Sequence, residues 1–260
     1  GRALAGGQLR FANDVASFAD LVTRCKTAAT DLPDDTIIGI APHSLRGSSM
    51  ADIAEILPEH GAGPVHIHIA EQVKEVEDIK SALGARPVEH LLDHAPVDPR
   101  WCLIHATHMT DAETVAFAKS GAVAGLCPIT ESSLGDGGFD AVRWMDHGGA
   151  FAIGSDSNIR IALAEELRTL DYSQRLRDGT RAALATPEKS TGRRLYDGML
   201  AGGAQAAGRQ SGRIEVGAWA DLLALDTTSE HLWGRAGDTA LDAWIFAGDD
   251  RLVRDVWSAG

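Results

Sequence analysis

The sequence predicts an α/β fold, a (β/α)8 barrel of the TIM type, followed by a small β-rich appendage. Three observations carry this. Short apolar runs alternate with helix-period segments through most of the chain, a pace that demands parallel strands joined by right-handed crossovers. Polar residues recur where those runs stop, at His43, His68, Glu71, His105 and the pentapeptide Gly154-Ser155-Asp156-Ser157-Asn158. A barrel gathers the carboxyl ends of its strands at one mouth, where its chemistry sits; an open sheet would concentrate it at one crevice. Five strands can be counted before residue 160, and a closed barrel needs eight, so counting alone leaves the open sheet available.

From 13 to 29, Val15, Phe18, Leu21 and Val22 keep helical spacing, with Asn13 or Asp14 as cap and Asp31-Leu32-Pro33 as the stop. The run 36–42 reads as a buried strand that turns polar at His43. A helix over 51–57 is broken by Gly61-Ala62-Gly63-Pro64, and a strand follows over 65–70. Helical pieces over 71–83 and 87–93 precede a strand over 101–106. Thr110-Asp111-Ala112-Glu113 has the spacing of a capping box and opens a helix to Lys119. A strand over 121–127, a helix over 139–146 and a last strand over 150–156 complete the series, and helices are expected over 163–177 and 180–195. After Gly208 the pattern changes to turn glycines and short alternating runs, with further strands expected at 243–246 and 252–257. Two domains result, 1–208 and 209–260.

The 260 residues are 44% hydrophobic and 23% charged, the composition of a chain that buries a core. A net charge of −13 argues against nucleic-acid and anionic-membrane partners, whose surfaces are met by basic patches. Cys25, Cys102 and Cys127 form no Cys-x-x-Cys pair and are odd in number, which fits a reducing cytoplasm better than a disulfide framework or zinc knot. No leader and no transmembrane run is found, and Gly1 reads as the interior of a longer protein.

A lone histidine at a strand end is more often structural than functional, but His68-Ile69-Ala70-Glu71 sets an imidazole at a strand tip and a carboxylate just beyond it. That pairing suits a metal ligand beside a proton carrier. His66 shares the strand face two residues deeper and reads as packed. His105 would point into the mouth, with His108 in the loop beyond. Asp156 either caps the next helix or serves as ligand and base for a divalent ion and its water. Arg46 is either a surface arginine or a fork for a substrate carboxylate. Cys127 has no histidine near it in sequence and reads as structural, as do His60, His90, His94, His147 and His231.

These residues and their surroundings resemble the amidohydrolase superfamily in its metal-dependent deaminase branch. The carrying segments are 41–46, 66–72, 86–97, 101–109, 125–131 and 154–158; the longer of them are similar to the formiminoglutamate deiminases. The resemblance implies one divalent ion, Zn²⁺, held by His68 and Asp156. It implies that His105 contacts the attacking water or the tetrahedral centre, that Glu71 shuttles protons to the leaving nitrogen, and that His43 and Arg46 line the substrate pocket. It implies hydrolysis of a formimino group with loss of ammonia, a small-molecule substrate and a homodimer at full length. The family also uses a His-x-His pair on its first barrel strand, and no strand precedes Asn13 here. The expectation is therefore an N-terminally truncated barrel with part of a β-sandwich at 209–260. Two other readings stand beside this one: a deaminase of heterocyclic amidines, and a chain that is non-catalytic as it stands because its ligand set is incomplete.

Overall fold

A computed structural model describes residues 6–260; the first five residues of the expected 1–208 domain lie outside the described residues. Helix α1 (Val15–Ala28) opens on Asp14, whose carboxylate accepts from Ser17 N at 2.8 Å. Helix α2 (Met50–His60) carries a capping box between Ser49 and Asp52. Strand β1 (Val65–Ile69), helices α3 (Val73–Leu83) and α4 (Pro87–His94), and strand β2 (Trp101–His105) follow, then α5 (Asp111–Ser120) and β3 (Val123–Leu126). Helices α6 (Pro128–Leu134) and α7 (Ala141–Asp146) lead to β4 (Ala150–Ile153), and α8 (Leu163–Asp178) and α9 (Thr191–Ala207) close this part of the chain. Among the described residues no helix is long and apolar enough to cross a membrane.

The four strands form one parallel sheet in the order β1-β2-β3-β4, each beside its neighbour in sequence. A doubly wound open sheet reverses its strand order at a switch point. No such reversal occurs among the described strands, and sequential winding is what a barrel uses. One face carries Val65, Ile67, Ile69, Trp101, Leu103, Ala124, Leu126 and Phe151 into the main core beneath the helices. The other is a smaller cluster of Cys102, Val123 and Ala152 with Ile104 and Ala150, closed by Ala206 at the end of α9.

The run 36–42 is not a strand. It makes a single parallel bridge, Ile40 to Val65, with Ile40 N donating to Pro64 O and His66 N to Ile40 O, both at 2.9 Å. The next donor along the run is position 42 and the next on the facing side is position 64, and both are proline, which has no N–H to give.

The helix expected over 180–195 starts at Thr191, after Pro187, with Ser190 accepting from Arg193 N, and runs on past 195 through Gly198, Gly202 and Gly203 to Ala207. Two of them are required by packing: a Cβ on Gly202 would lie 2.0 Å from Phe151 O, and one on Gly198 2.4 Å from the Phe151 ring. Helix α6 was not expected. Its apolar entry, Cys127-Pro128-Ile129, reads as the tail of a strand, yet proline at the first helical position is a start signal.

Beyond Gly208, β5 (Leu222–Leu225) and β6 (Val253–Trp257) pair antiparallel, with an irregularity at Ala224/Leu225. The expected strand at 243–246 is instead a π-helical turn, Ala243–Ala247, continuing α10 (Asp238–Asp242). A short continuous apolar run has no period that separates strand from buried helix, and here Trp244 and Ile245 are fully buried. This segment also caps the barrel helices. Asp250 accepts from Leu163 N and Ala164 N at the start of α8, and Asp242 accepts from Gly192 N and Ser190 Oγ at the start of α9.

Candidate active site

His68 and His105 lie at the ends of β1 and β2, Glu71 and Asp156 lie just past β1 and β4, and His43 follows the bridged run 36–42. At several of these ends the backbone departs from extended geometry. Ala70, His105, Ala106 and Asp156 have φ of 50°, 68°, 48° and 53°. A non-glycine residue in this region costs on the order of 1–3 kcal/mol, and such residues cluster at functional sites. The consequence is directional. Simple alternation would put His105 on the helix-facing side with Trp101 and Leu103; the left-handed turn at His105 itself brings its ring into the mouth instead.

His105 is the centre of the cluster and is 1% exposed. Its Nε2 lies 3.8 Å from Glu71 Oε1 and 3.8 Å from Asp156 Oδ2, and its Nδ1 lies 3.3 Å from Glu131 Oε1. Its ring centroid is 5.7 Å from that of His68, which in turn is 5.4 Å from that of His43. Burial pulls the His105 pKa down, but the hydrogen bond and charge of Glu131, with the charges of Glu71 and Asp156, outweigh it and leave the pKa raised. His43 moves the other way. Burial, then His68 and Arg46, lower its pKa.

The six expected site residues therefore gather at one mouth: His43, Arg46, His68, Glu71, His105 and Asp156. Arg46 Nη2 lies 3.4 Å from Glu71 Oε2 and 4.0 Å from Glu75 Oε2, so carboxylates of the protein occupy part of its fork. His66 faces away from the mouth, donating from Nε2 to Ala206 O at 2.8 Å. His108 leaves the cluster too, its Nε2 donating to Asp136 O at 2.6 Å.

The donor set suits a divalent cation. His68 Nδ1 lies 2.9 Å from His43 O; a carbonyl only accepts, so Nδ1 carries the hydrogen and Nε2 presents its lone pair. Asp156, Cys127 and His105 offer ligand atoms within 4.8 Å of one another. Three carboxylates, of Glu71, Asp156 and Glu131, surround one imidazole, an accumulation of negative charge that a bound cation offsets. Cys127 is the least fit of the donors, because burial and then the charges of Glu131, Asp156 and Glu166 push its thiol pKa far up.

Two residues at the site were missed from the sequence. Glu75 stands third and Glu131 fourth in a helix that follows a strand end. Glu75 Oε2 accepts from Glu71 N at 2.9 Å, and Glu131 Oε1 accepts from Cys127 N at 3.0 Å. Both are buried, at 1% and 3% exposed. The available signal was a Glu in the first turn of each helix, four residues after the N–H that it accepts from, a pattern related to the capping box.

A third buried acid lies behind α6. Glu166 Oε2 accepts from Ile129 N at 2.8 Å, while Oε1 has no partner. Burial raises its pKa from 4.5 to about 7, a shift that the bond from Ile129 N opposes and the charges of Glu131, Glu165 and Asp156 reinforce. An acid raised in the fold contributes stability that is whole below pH 4.5, its ordinary value, and is lost as pH rises to about 7, because the unfolded chain sheds the proton first. The loss is on the order of 3 kcal/mol. Glu166→Gln keeps an acceptor for Ile129 N and does not titrate. Denaturation midpoints at pH 5 and pH 8 should therefore show the variant gaining on the parent at the higher pH, and an unchanged difference would refute the assignment.

Residues 10–260 match the amidohydrolase family. The chain is 47% identical over 262 residues to a formimidoylglutamate deiminase of Pseudomonas aeruginosa, covering 100% of this chain and 57% of that protein. In structure it resembles an amidohydrolase from Brucella melitensis, with a TM-score of 0.91 and 49% identity over 99% of this chain and 57% of the other. A zinc-bound adenosine deaminase from Xanthomonas campestris superposes with a TM-score of 0.77 at 27% identity, over 92% of this chain and 54% of that one. The chain thus spans little more than half the length of the proteins it matches.

Proposed function

The chain belongs to the amidohydrolase family, whose fold is a TIM-type α/β barrel, and from that premise we propose that its site serves the hydrolytic deimination of N-formimino-L-glutamate to N-formyl-L-glutamate and ammonia, a step of histidine degradation. The observation that carries the reading is the 47% identity to a formimidoylglutamate deiminase, sustained from end to end of the chain. The match to deaminases of other substrates is weaker, as at 27% for the adenosine deaminase.

In this reading β1 to β4 are one arc of the barrel, the residues of 209–260 belong to a small β-sandwich, and the rest of the barrel lies in the share of the relatives that the chain does not span. The working enzyme is a cytoplasmic homodimer. His68 and Asp156 hold a divalent ion, Zn²⁺. Bound there, such an ion would supply Lewis acidity, which lowers the pKa of water to about 7.

The protein's own groups divide the remaining work. His105 and Asp156 orient the attacking water and accept its proton, His105 through Nε2. Glu71 carries a proton to the formimino nitrogen, so that ammonia rather than an amide anion departs. His43 lines the pocket. Arg46 turns the donors not engaged by Glu71 and Glu75 to the substrate carboxylate.

The test is ammonia release from formiminoglutamate by the full-length protein, set against adenosine and guanine as heterocyclic amidines. Turnover confined to the heterocycles would overturn the reading. Arg46→Ala is expected to raise KM for formiminoglutamate about 10- to 100-fold, the worth of a charge-assisted hydrogen bond, and an unchanged KM would remove Arg46 from the carboxylate.

A further inference from the structure

Helix α6 and the turn that follows it reach the ends of β1, β2 and β4. Thr130 Oγ1 donates to Ser155 O at 3.4 Å, beside Asp156. Gln72, next to Glu71, donates to Asp136 Oδ1 at 3.0 Å just past the helix. Glu131 meets His105 itself. Of these contacts, the one with Glu131 has a chemical consequence.

Resting on the deimination reading of the site, we propose that Glu131 is a positioning residue that fixes His105 as the Nδ1–H tautomer, so that the Nε2 lone pair faces Glu71 and Asp156. A carboxylate oxygen accepts and an imidazole nitrogen that meets it must donate, which places the hydrogen on Nδ1. In a neutral ring Nε2 then has no hydrogen and can take one from the attacking water. The opposite tautomer would point an N–H at the place where a proton has to be received. Glu131 can impose the choice because it is itself fixed. The same Oε1 that meets His105 Nδ1 at 3.3 Å also accepts from Cys127 N at 3.0 Å, and the side chain is 3% exposed. The backbone N–H thus holds the oxygen that holds the ring.

This geometry separates charge from placement. Glu131→Gln keeps a single oxygen that can serve both donors, and the Cys127 N–H selects the amide orientation that presents oxygen rather than NH2. Glu131→Asp keeps the charge at the helix start but withdraws the carboxylate by about 1.5 Å, beyond hydrogen-bond reach of Nδ1. If Glu131 sets the tautomer, Gln retains function and Asp does not; if only its negative charge matters, the order reverses.

The experiment pairs a spectroscopic readout with kinetics on the full-length protein. Long-range ¹H–¹⁵N correlation spectra of the imidazoles identify which nitrogen of His105 bears hydrogen. The parent and Glu131→Gln should show Nδ1–H, and Glu131→Asp should lose that preference. In kinetics Glu131→Asp should lower kcat about 10- to 100-fold, as removal of groups that orient an active-site histidine does, with KM and metal content unchanged, while Glu131→Gln stays within a few-fold of the parent. An Nε2–H tautomer in the parent, or full kcat in Glu131→Asp, overturns the proposal. Should the parent show Nδ1–H but fail to deiminate formiminoglutamate, the role of Glu131 is upheld and the substrate reading falls alone.

Discussion

Asp156→Asn should lower kcat/KM of the full-length enzyme by about 10³- to 10⁵-fold, more than the 10²- to 10⁴-fold typical of losing a general base alone, and should deplete its bound metal. Two roles are lost together in that one carboxylate. In the proposed mechanism it is a ligand that would supply negative charge to the cation and, 3.8 Å from His105 Nε2, it would share in receiving the water's proton. The amide neither binds a hard cation as strongly nor accepts a proton at neutral pH. Asparagine is the right replacement because Asp156 sits at φ 53°, a region that asparagine tolerates as well as aspartate does. Its side-chain oxygen can also keep the 2.5 Å bond from Ser157 N. The fold should therefore survive, so lost activity reports on chemistry. Elemental analysis and steady-state kinetics on one preparation check both halves, and metal content at parental levels with activity within tenfold would show that Asp156 is only a turn residue.

Much of this site was legible because barrel chemistry is periodic in sequence. His68, His105 and Asp156 each follow an apolar run, and the topology needs only those runs to be parallel strands for their ends to meet. What was illegible has identifiable causes. The run 36–42 has strand composition, but its pairing depends on which N–H groups face it, and that is decided by Pro42 together with Pro64, a residue on another segment. The segment 243–246 is apolar on both sides and so carries no period. Glu75 and Glu131 were hidden for a third reason. A glutamate in the first turn of a helix is ordinarily a solvated capping group, and only the fold shows that Glu75 is buried against Glu71 N and Glu131 against His105. Glu113, third in α5 as Glu75 is in α3, is held by Arg86 Nε at 2.6 Å and Thr110 N at 2.8 Å. The same local pattern thus serves both purposes, and its surroundings decide between them.

Glu71→Gln should separate the proposed proton delivery from everything else the site does. Glu71 lies three residues past His68, with Oε1 3.8 Å from His105 Nε2 and Oε2 3.4 Å from Arg46 Nη2. Its backbone N–H is held by Glu75, and that bond does not depend on the Glu71 side chain. Glutamine is nearly isosteric and keeps an oxygen for Arg46, but it cannot carry a proton from water to the leaving nitrogen. The expected result is a fall in kcat of about 10²- to 10⁴-fold, the range for a positioned general acid or base, with metal content unchanged and KM altered only by whatever Arg46 gains in freedom. The leaving group supplies the control. An amide anion is too basic to depart from a tetrahedral carbon without a proton, so the defect should shrink for formimino analogues whose leaving nitrogen is less basic and needs less help. A defect of the same size across such a series would mean that Glu71 acts before the carbon–nitrogen bond breaks, in preparing the water rather than in releasing ammonia.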